Sequence, residues 1–394
     1  MKLATFYIKK VFRRLKIVLF EALTSQQIKN SEKFLKKNGG LPKPSINEKL
    51  DDDVVGYGKE LRDNEIRKFQ NILSSFSDMR VLIHRPKKSW SAGGYSLFSN
   101  LGDSMDHLGI QVDYLTVGDD PSDIFQKFRP SHFLSSDHDF YLNKLSPEFI
   151  ALYKKNYGLK IGVTASIEEY GNPDLQGRIL RLKALGVDFL YSFRSQIYLK
   201  NRPEYKIFYD NQFDIYSVEF GCNPKYYFPV SDLRGKIFDF AFLGSTNPDK
   251  IDRCFDWLMP IFKKENGFVN GPGWSFNNID LERPLHNQIY SLSRIGLNLH
   301  IDDSIYWPSE LNERTYILAG CGIPQLIDNP MLLRDRFSDD CFYSASTPLE
   351  YQELYRDLVY GSLAAKNFHI KAMEEVFAKH TTFQRAKKFA TEIR

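Results

Sequence analysis

The sequence predicts an α/β protein built from two doubly wound parallel sheets, with a basic helical extension at the N-terminus. Three observations predict it. From residue 79 onward, short apolar runs alternate with segments of helical period, as parallel sheets with helices on both faces require. Most of the runs are apolar throughout instead of alternating, so both of their faces are buried. The alternation comes in two arrays, separated by a turn-rich stretch at 221–235. A chain of 394 residues, at roughly 150 per domain, suits two domains plus an appendage.

The N-terminal segment stands apart. Residues 1–24 place six basic residues (Lys2, Lys9, Lys10, Arg13, Arg14, Lys16) before the first acid, Glu21. Leu3, Tyr7, Val11, Leu15, Val18 and Leu19 recur at helical spacing. Charges interrupt every candidate apolar core, which argues against a secretory signal. Two readings fit: a helix lying on an anionic membrane surface, and a helix packing its apolar stripe on the main body. Residues 25–77 read as a polar linker, with Gly39-Gly40, Pro42, Pro44 and the run Asp51-Asp52-Asp53, carrying one helix at 59–74.

The first array follows. Strands are expected at 79–84, 111–116, 132–135, 159–164 and 187–193, with helices at 95–108, 147–157 and 174–185. The second array has strands at 237–243, 267–270, 295–299 and 325–327, and helices at 249–262 and 310–319. Residues 348–394 read as mostly helical. The expected division is 1–77 for the extension, 78–232 for the first domain and 233–394 for the second.

Composition excludes several classes. Hydrophobic residues at 42% and charged residues at 26% argue against disorder as the main state. A net charge of +4 does not mark a nucleic-acid binder. Cys222, Cys254, Cys321 and Cys341 form no C-x-x-C pair, so buried thiols in a reducing compartment are expected. No stretch of about 18 uncharged apolar residues predicts a membrane span. The common signatures of dinucleotide binding, P-loops and serine hydrolases are absent.

Ligands of doubly wound sheets bind beyond the carboxyl ends of the strands. The facing rims of two such domains would line a cleft. The richest segment is 295–328. Its strand ends in a polar rim of Asn298, His300, Asp302 and Asp303. A helix opening near Ser309 presents Glu310, Glu313 and Arg314, then stops at Gly320-Cys321-Gly322. A helix start attracts phosphate through its N–H groups and dipole, and Arg314 adds a charged contact. Several residues carry two readings. His300 is either functional or a satisfied structural histidine. Trp274 stacks on a base or sugar, or fills the core. Gly93 and Gly94 admit a ligand at the first rim, or form a tight turn. Glu168, beside Glu169, orients an acceptor hydroxyl, or is a solvated loop charge. Asp137 and Asp139 spell D-x-D and read as loop carboxylates, so no metal is expected.

The segment Leu311–Asp328, with Asn312-Glu313-Arg314 and Ala319-Gly320-Cys321-Gly322, resembles the CgeB-like (spore-maturation-type) proteins. These are group 1 glycosyltransferases of the GT-B fold. Other pieces agree in order: Phe228-Pro229, Phe242-Leu243-Gly244-Ser245, Gly271-Pro272-Gly273-Trp274, Leu297-Asn298-Leu299-His300, and His380-Thr381-Thr382 with Arg385. The likeness covers residues 221–394.

The resemblance implies two Rossmann-like domains and transfer of a sugar from a nucleotide-sugar donor. The acceptor would be a glycan, a lipid-linked molecule or a protein, in building a surface polysaccharide or glycoconjugate. The donor would sit on the C-terminal domain, the acceptor on the N-terminal one. Transfer would retain configuration, with no metal and no cofactor besides the donor. His300, Glu313 and Arg314 would be the catalytic group. Gly244, Ser245, Lys250, Arg253, Trp274, Asn298, Glu310 and Asn312 would bind the donor, with Ser245, Lys250 and Arg253 on its diphosphate. Gly93, Gly94 and Glu168 would face the acceptor. The implied location is cytoplasmic, peripheral at the membrane's inner face. One departure stands out: the family's Glu-x7-Glu places fall on Ser309 and Ile317. Glu313 or Glu310 would have to substitute. An epimerase or hydrolase of the same architecture, or a non-catalytic nucleotide- or sugar-binding relative, is the alternative.

Overall fold

Six strands form the first parallel sheet: β1 (Arg80–His84), β2 (Gln111–Leu115), β3 (His132–Ser135), β4 (Lys160–Thr164), β5 (Phe189–Ser192) and β6 (Ile215–Ser217). A computed structural model describes residues 2–38, 52–136, 144–167, 174–230, 236–246, 250–274, 281–361 and 367–394 of the chain. The strand order is β2-β1-β3-β4-β5-β6, with Ile83 registered against Tyr114 on one side and Leu134 on the other. β3 and β5 are buried along their whole length and β1 and β4 in all but the first residue, as their apolar runs predict. β2 lies at the edge and exposes Gln111 and Asp113, so its polar residues sit where water reaches them.

Helix starts in this unit follow local rules. Ser91, Asp120, Ser146, Asp174 and Ser195 each cap a helix, and their side chains accept the free N–H groups of the first turn. The helix Ala92–His107 packs against the last helix of the chain, Thr382–Ile393. Phe383, Ala386, Phe389 and Ala390 are buried in that first core.

Five strands form the second parallel sheet: β7 (Phe238–Leu243), β8 (Gly267–Asn270), β9 (Ser293–Asn298), β10 (Gln325–Asp328) and β11 (Tyr343–Ala345). Their order is β11-β10-β9-β7-β8. Phe240, Phe242, Val269, Ile295, Leu297 and Leu326 build its core. The helix expected at 249–262 is broken. It runs as Ile251–Arg253, a wider π-type turn at Cys254–Leu258, and Met259–Phe262. Pro260 explains the break, because it lacks the N–H an α-helix needs there.

The contact pattern divides the chain differently from the expected segments. Residues 1–65 group with 224–380, and residues 66–223 with 381–394. Burial supplies the reason. Phe20 and Ile28, from helices Lys2–Leu23 and Gln26–Asn38, are fully enclosed in the core of the second sheet. Residues 25–38 and 52–69, expected mostly as linker, are largely helical (Gln26–Asn38 and Asp52–Phe69). Residues 39–51 lie outside the described residues.

Candidate functional site

In the second sheet the strand order reverses between β7 and β9. Crevices at such reversals are where ligands of doubly wound sheets bind. β7 leads there into Gly244-Ser245, and β9 ends at Asn298, followed by Leu299-His300.

The helix expected from residue 310 begins later, as Glu313–Gly320, with Asn312 as its cap. Asn312 Oδ1 accepts from the Thr315 N–H at 3.1 Å, while its amide donates to Asn298 Oδ1 at 2.8 Å. Asn298 in turn donates to Thr315 Oγ1 at 2.9 Å and to Gln325 Oε1 at 2.8 Å. These two asparagines were expected to meet the donor. Their amides instead lock the strand end to the helix start. Ser309 and Ile317, where the family's glutamates would fall, are both buried. Glu310 and Glu313 are half-buried beside them.

His300 is buried, and its Nδ1 lies 2.6 Å from Asp328 Oδ1. The His300 backbone N–H donates to Asp328 Oδ2 at 2.8 Å, and Arg253 Nη2 donates to the same oxygen at 2.7 Å. Burial alone would raise the Asp328 pKa; His300 and Arg253 outweigh it and hold the carboxylate below its usual range. Arg253 also donates from Nε to the His300 carbonyl at 3.2 Å. His300 and Arg253, expected in catalysis and on the diphosphate, are thus engaged with Asp328.

Arg314 behaves differently from the exposed helix residue its sequence context implies. It is 8% exposed, as is Lys250. Its Nε donates to the Leu243 carbonyl at 2.8 Å, and its guanidinium lies over the Phe242 ring at 4.2 Å. A Cβ on Gly244 would come within 1.5 Å of Arg314 Nη2, so glycine is what lets the guanidinium reach the strand end. Lys250 Nζ lies 6.0 Å from the same ring. Burial, then the charge of Arg314, pulls the Lys250 pKa down to about 8. Burial also lowers that of Arg314. Among the described residues neither cation forms a salt bridge.

Trp274 is a core side chain. It is 1% exposed, packs on Phe20 at 4.9 Å, and donates its indole N–H to the Gly244 carbonyl at 2.7 Å. No face is left for a base or sugar.

In the first sheet the order reverses between β1 and β3. Gly93 is exposed in the first turn of Ala92–His107, with open space around it. Gly94 donates its N–H to Ser91 Oγ at 3.1 Å. Neither has a positive φ, so no left-handed turn demands glycine. Glu168 and the Asp137–Asp139 pair lie outside the described residues.

Residues 256–391 match the family model described as Glycosyl transferase-like. Among solved structures, the chain is similar to T4 phage BGT in complex with UDP-glucose, at 13% identity and a TM-score of 0.53. That alignment covers 80% of this chain and 99% of the other. It is also similar to an alpha-glucosyltransferase in complex with UDP-glucose and DNA containing an abasic site, at 11% identity, TM-score 0.54, and 80% and 99% coverage. Sucrose-phosphate synthase from Thermosynechococcus elongatus aligns at 11% identity, TM-score 0.50, and 80% and 98% coverage. No match is found among the curated proteins.

The chain has the GT-B fold, with a glycosyl transferase-like segment over residues 256–391.

Sequence reasoning missed several residues at the sheet rims. Asp328 ends an apolar strand, a place where an acid signals a partner; His300 lies 28 positions earlier. In the first unit, His84 Nδ1 lies 2.5 Å from Ser136 Oγ at the ends of β1 and β3. Arg178 is buried and donates to the carbonyls of Thr164 at 2.9 Å and Ser166 at 3.4 Å. Its signal was readable: Leu175, Arg178, Ile179 and Leu182 share one helical stripe, so an arginine sits among buried leucines. Among the described residues no group of three or more His, Cys, Asp or Glu gathers to hold a metal.

Proposed function

We propose that this glycosyltransferase takes its sugar from a nucleotide-sugar donor and holds the donor's diphosphate at Lys250 and Arg314. The observation that supports it is the pair itself. Two buried cations, without a carboxylate partner among the described residues, lie on one aromatic ring at the topological switch of the second sheet. Such an arrangement is unfavourable alone and favourable once a polyanion arrives. The leaving nucleotide of glycosyl transfer supplies that polyanion, and charge on it grows as the glycosidic bond breaks. The T4 phage BGT and the alpha-glucosyltransferase were both solved with UDP-glucose.

We assign the remaining roles as follows. Ser245 stands on the loop beside Arg314. Asp328 holds His300 and Arg253 in place, and Asn298 and Asn312 hold the Arg314 helix against the strand end; these five residues support the cations without touching the donor. Glu313, half-buried in the first turn of that helix, is the carboxylate proposed for the ribose, in place of Ile317. The order of motifs over 221–394 supports a CgeB-like relationship, and with it transfer with retention. Because Lys250 and Arg314 neutralise the leaving group, no metal is required. The acceptor is a glycan, a lipid-linked molecule or a protein.

Thermal melting with free nucleotides and nucleotide sugars tests this. A ligand at 100 times its dissociation constant adds about 2.7 kcal/mol of apparent stability. One nucleotide class should raise the melting point, and Lys250→Met and Arg314→Met should abolish the rise. With glycan, lipid-linked, protein and DNA acceptors offered, release of nucleotide should continue in EDTA, and the product should keep the donor's anomeric configuration. A flat melting response across the whole panel overturns the donor assignment. Binding with no turnover on any acceptor leaves a non-catalytic relative.

A further inference from the structure

We propose that the N-terminal helix Lys2–Leu23 docks the protein on an anionic lipid surface, through a ridge made of Val11, Phe12, Leu15, Val18 and Leu19. The proposal is independent of the donor site.

The helix is held at its C-terminal end and free along one face. Phe20 is fully buried and meets Phe255, Phe262 and Trp274 at ring distances of 6.4, 5.5 and 4.9 Å. Ser25, just past the helix, donates its N–H to the Phe262 carbonyl at 2.7 Å. Lys16 pairs with Asp252. On the other face, the five ridge side chains are 48–62% exposed. At about 100° per residue they cover an arc of about 120°, and Phe20 points the opposite way from Val11. Packing on the body has therefore used one side of the helix around Phe20 and left the ridge from Val11 to Leu19 in water. This separates the two readings for residues 11–23: the terminal turn docks on the protein, and the ridge does not.

Charge decides the occupant. Six Lys and Arg residues precede the first acid, Glu21. Arg14 flanks the ridge and is exposed. An apolar ridge beside an excess of positive charge matches the boundary between anionic headgroups and acyl chains. A second protein copy is a poorer fit. The ridge is about 12 Å long, whereas stable interfaces bury about 800 Å² per partner. The described helices include none long and apolar enough to cross a membrane, so the ridge lies in the interface plane.

Deleting residues 1–24 would remove Phe20 from the core and confuse binding with unfolding. The test keeps the full chain and changes only exposed atoms: Phe12→Ser with Leu15→Ser and Val18→Ser, and separately Arg14→Glu. Co-sedimentation is measured with phosphatidylcholine vesicles with and without 30% phosphatidylglycerol. The wild type should bind the anionic vesicles, lose most binding in 0.5 M salt, and ignore neutral ones. Each basic residue near such a surface is worth about a fivefold change in partitioning. The triple variant should bind at least tenfold more weakly and Arg14→Glu several-fold more weakly, both with unchanged melting points. Equal sedimentation of the triple variant and wild type overturns the proposal. So does a concentration-dependent dimer that the triple variant abolishes, which would make the ridge a contact between copies.

Discussion

Lys250 carries its charge where the second unit alone would favour a neutral group. Its folded pKa of about 8 lies below the ordinary 10.5. A depressed folded value means that its contribution to stability is present above pH 10.5 and lost as pH falls through about 8. At neutral pH the protein therefore holds a destabilising charge at Lys250, which the proposed diphosphate would offset. Lys250→Met should raise stability by about 1–3 kcal/mol at pH 7 while removing nucleotide binding. Between pH 8 and 10.5 the wild type should gain stability with rising pH from this group, and the variant should lack that component. Melting curves at pH 7.5 and 10 check it. A variant that melts lower at neutral pH would show that Lys250 is paired and not waiting. Asp328 is the opposite case. Its buried charge is satisfied on both sides, by His300 and Arg253, and so it fixes geometry.

The loop after β7 works by close approach. Gly244 donates to the Asn270 carbonyl at 2.7 Å, Thr246 to that of Pro272 at 3.0 Å, and Trp274 to that of Gly244. Gly271, at φ +143°, has the Gly244 backbone 2.5 Å from where a Cβ would stand. The ends of β7 and β8 are thus braced together, with Arg314 filling the space that Gly244 leaves. Gly244→Ala should push the guanidinium aside, and because a flexible side chain moves, binding should suffer more than folding: at least a tenfold rise in the nucleotide dissociation constant. Gly93→Ala is the contrast. It adds a methyl in open space on a helix, which should stabilise by about 0.5–1 kcal/mol. Unchanged kcat/KM in Gly93→Ala retires the idea that an acceptor presses on that glycine. A fall in kcat/KM without loss of stability supports it.

At the scale of the whole chain, residues far apart in sequence complete each core. The first helices close the second sheet, and the last helix closes the first. Phe20→Ala should cost about 3–5 kcal/mol, as expected for a large side chain removed from a packed aromatic cluster. The melting transition that nucleotide shifts should fall by several degrees, whereas substitution of exposed Leu15 should leave it in place. Equal melting of Phe20→Ala and wild type would mean that the N-terminal helix is an accessory after all.

Short-range pattern decided what could be read early. Uninterrupted apolar runs marked both sheets, because a strand buried on two faces needs apolar residues at every position. Caps such as Ser91 and Asp174, and the amphipathic spacing of residues 11–19, also lie within a few residues of each other. The three-residue strands β6 and β11 were too short to show a period. The polar rim residues could be listed but not sorted. Asn298, Asp302, His300, Arg253, Lys250 and Arg314 look equally available in sequence, yet only Lys250 and Arg314 are buried as cations without a carboxylate partner among the described residues. Their fate depends on contacts such as Arg253 with Asp328, 75 positions apart, and Arg314 with Leu243, 71 apart. Trp274 was legible as an aromatic beside a glycine turn, and only packing against Phe20 made it core. Local sequence determines which residues form a strand, a helix or a rim, since backbone propensity and periodicity act over one or two turns. Which charge meets a carboxylate and which is buried without one among the described residues was decided by the tertiary structure, since burial and pairing arise only when distant segments meet.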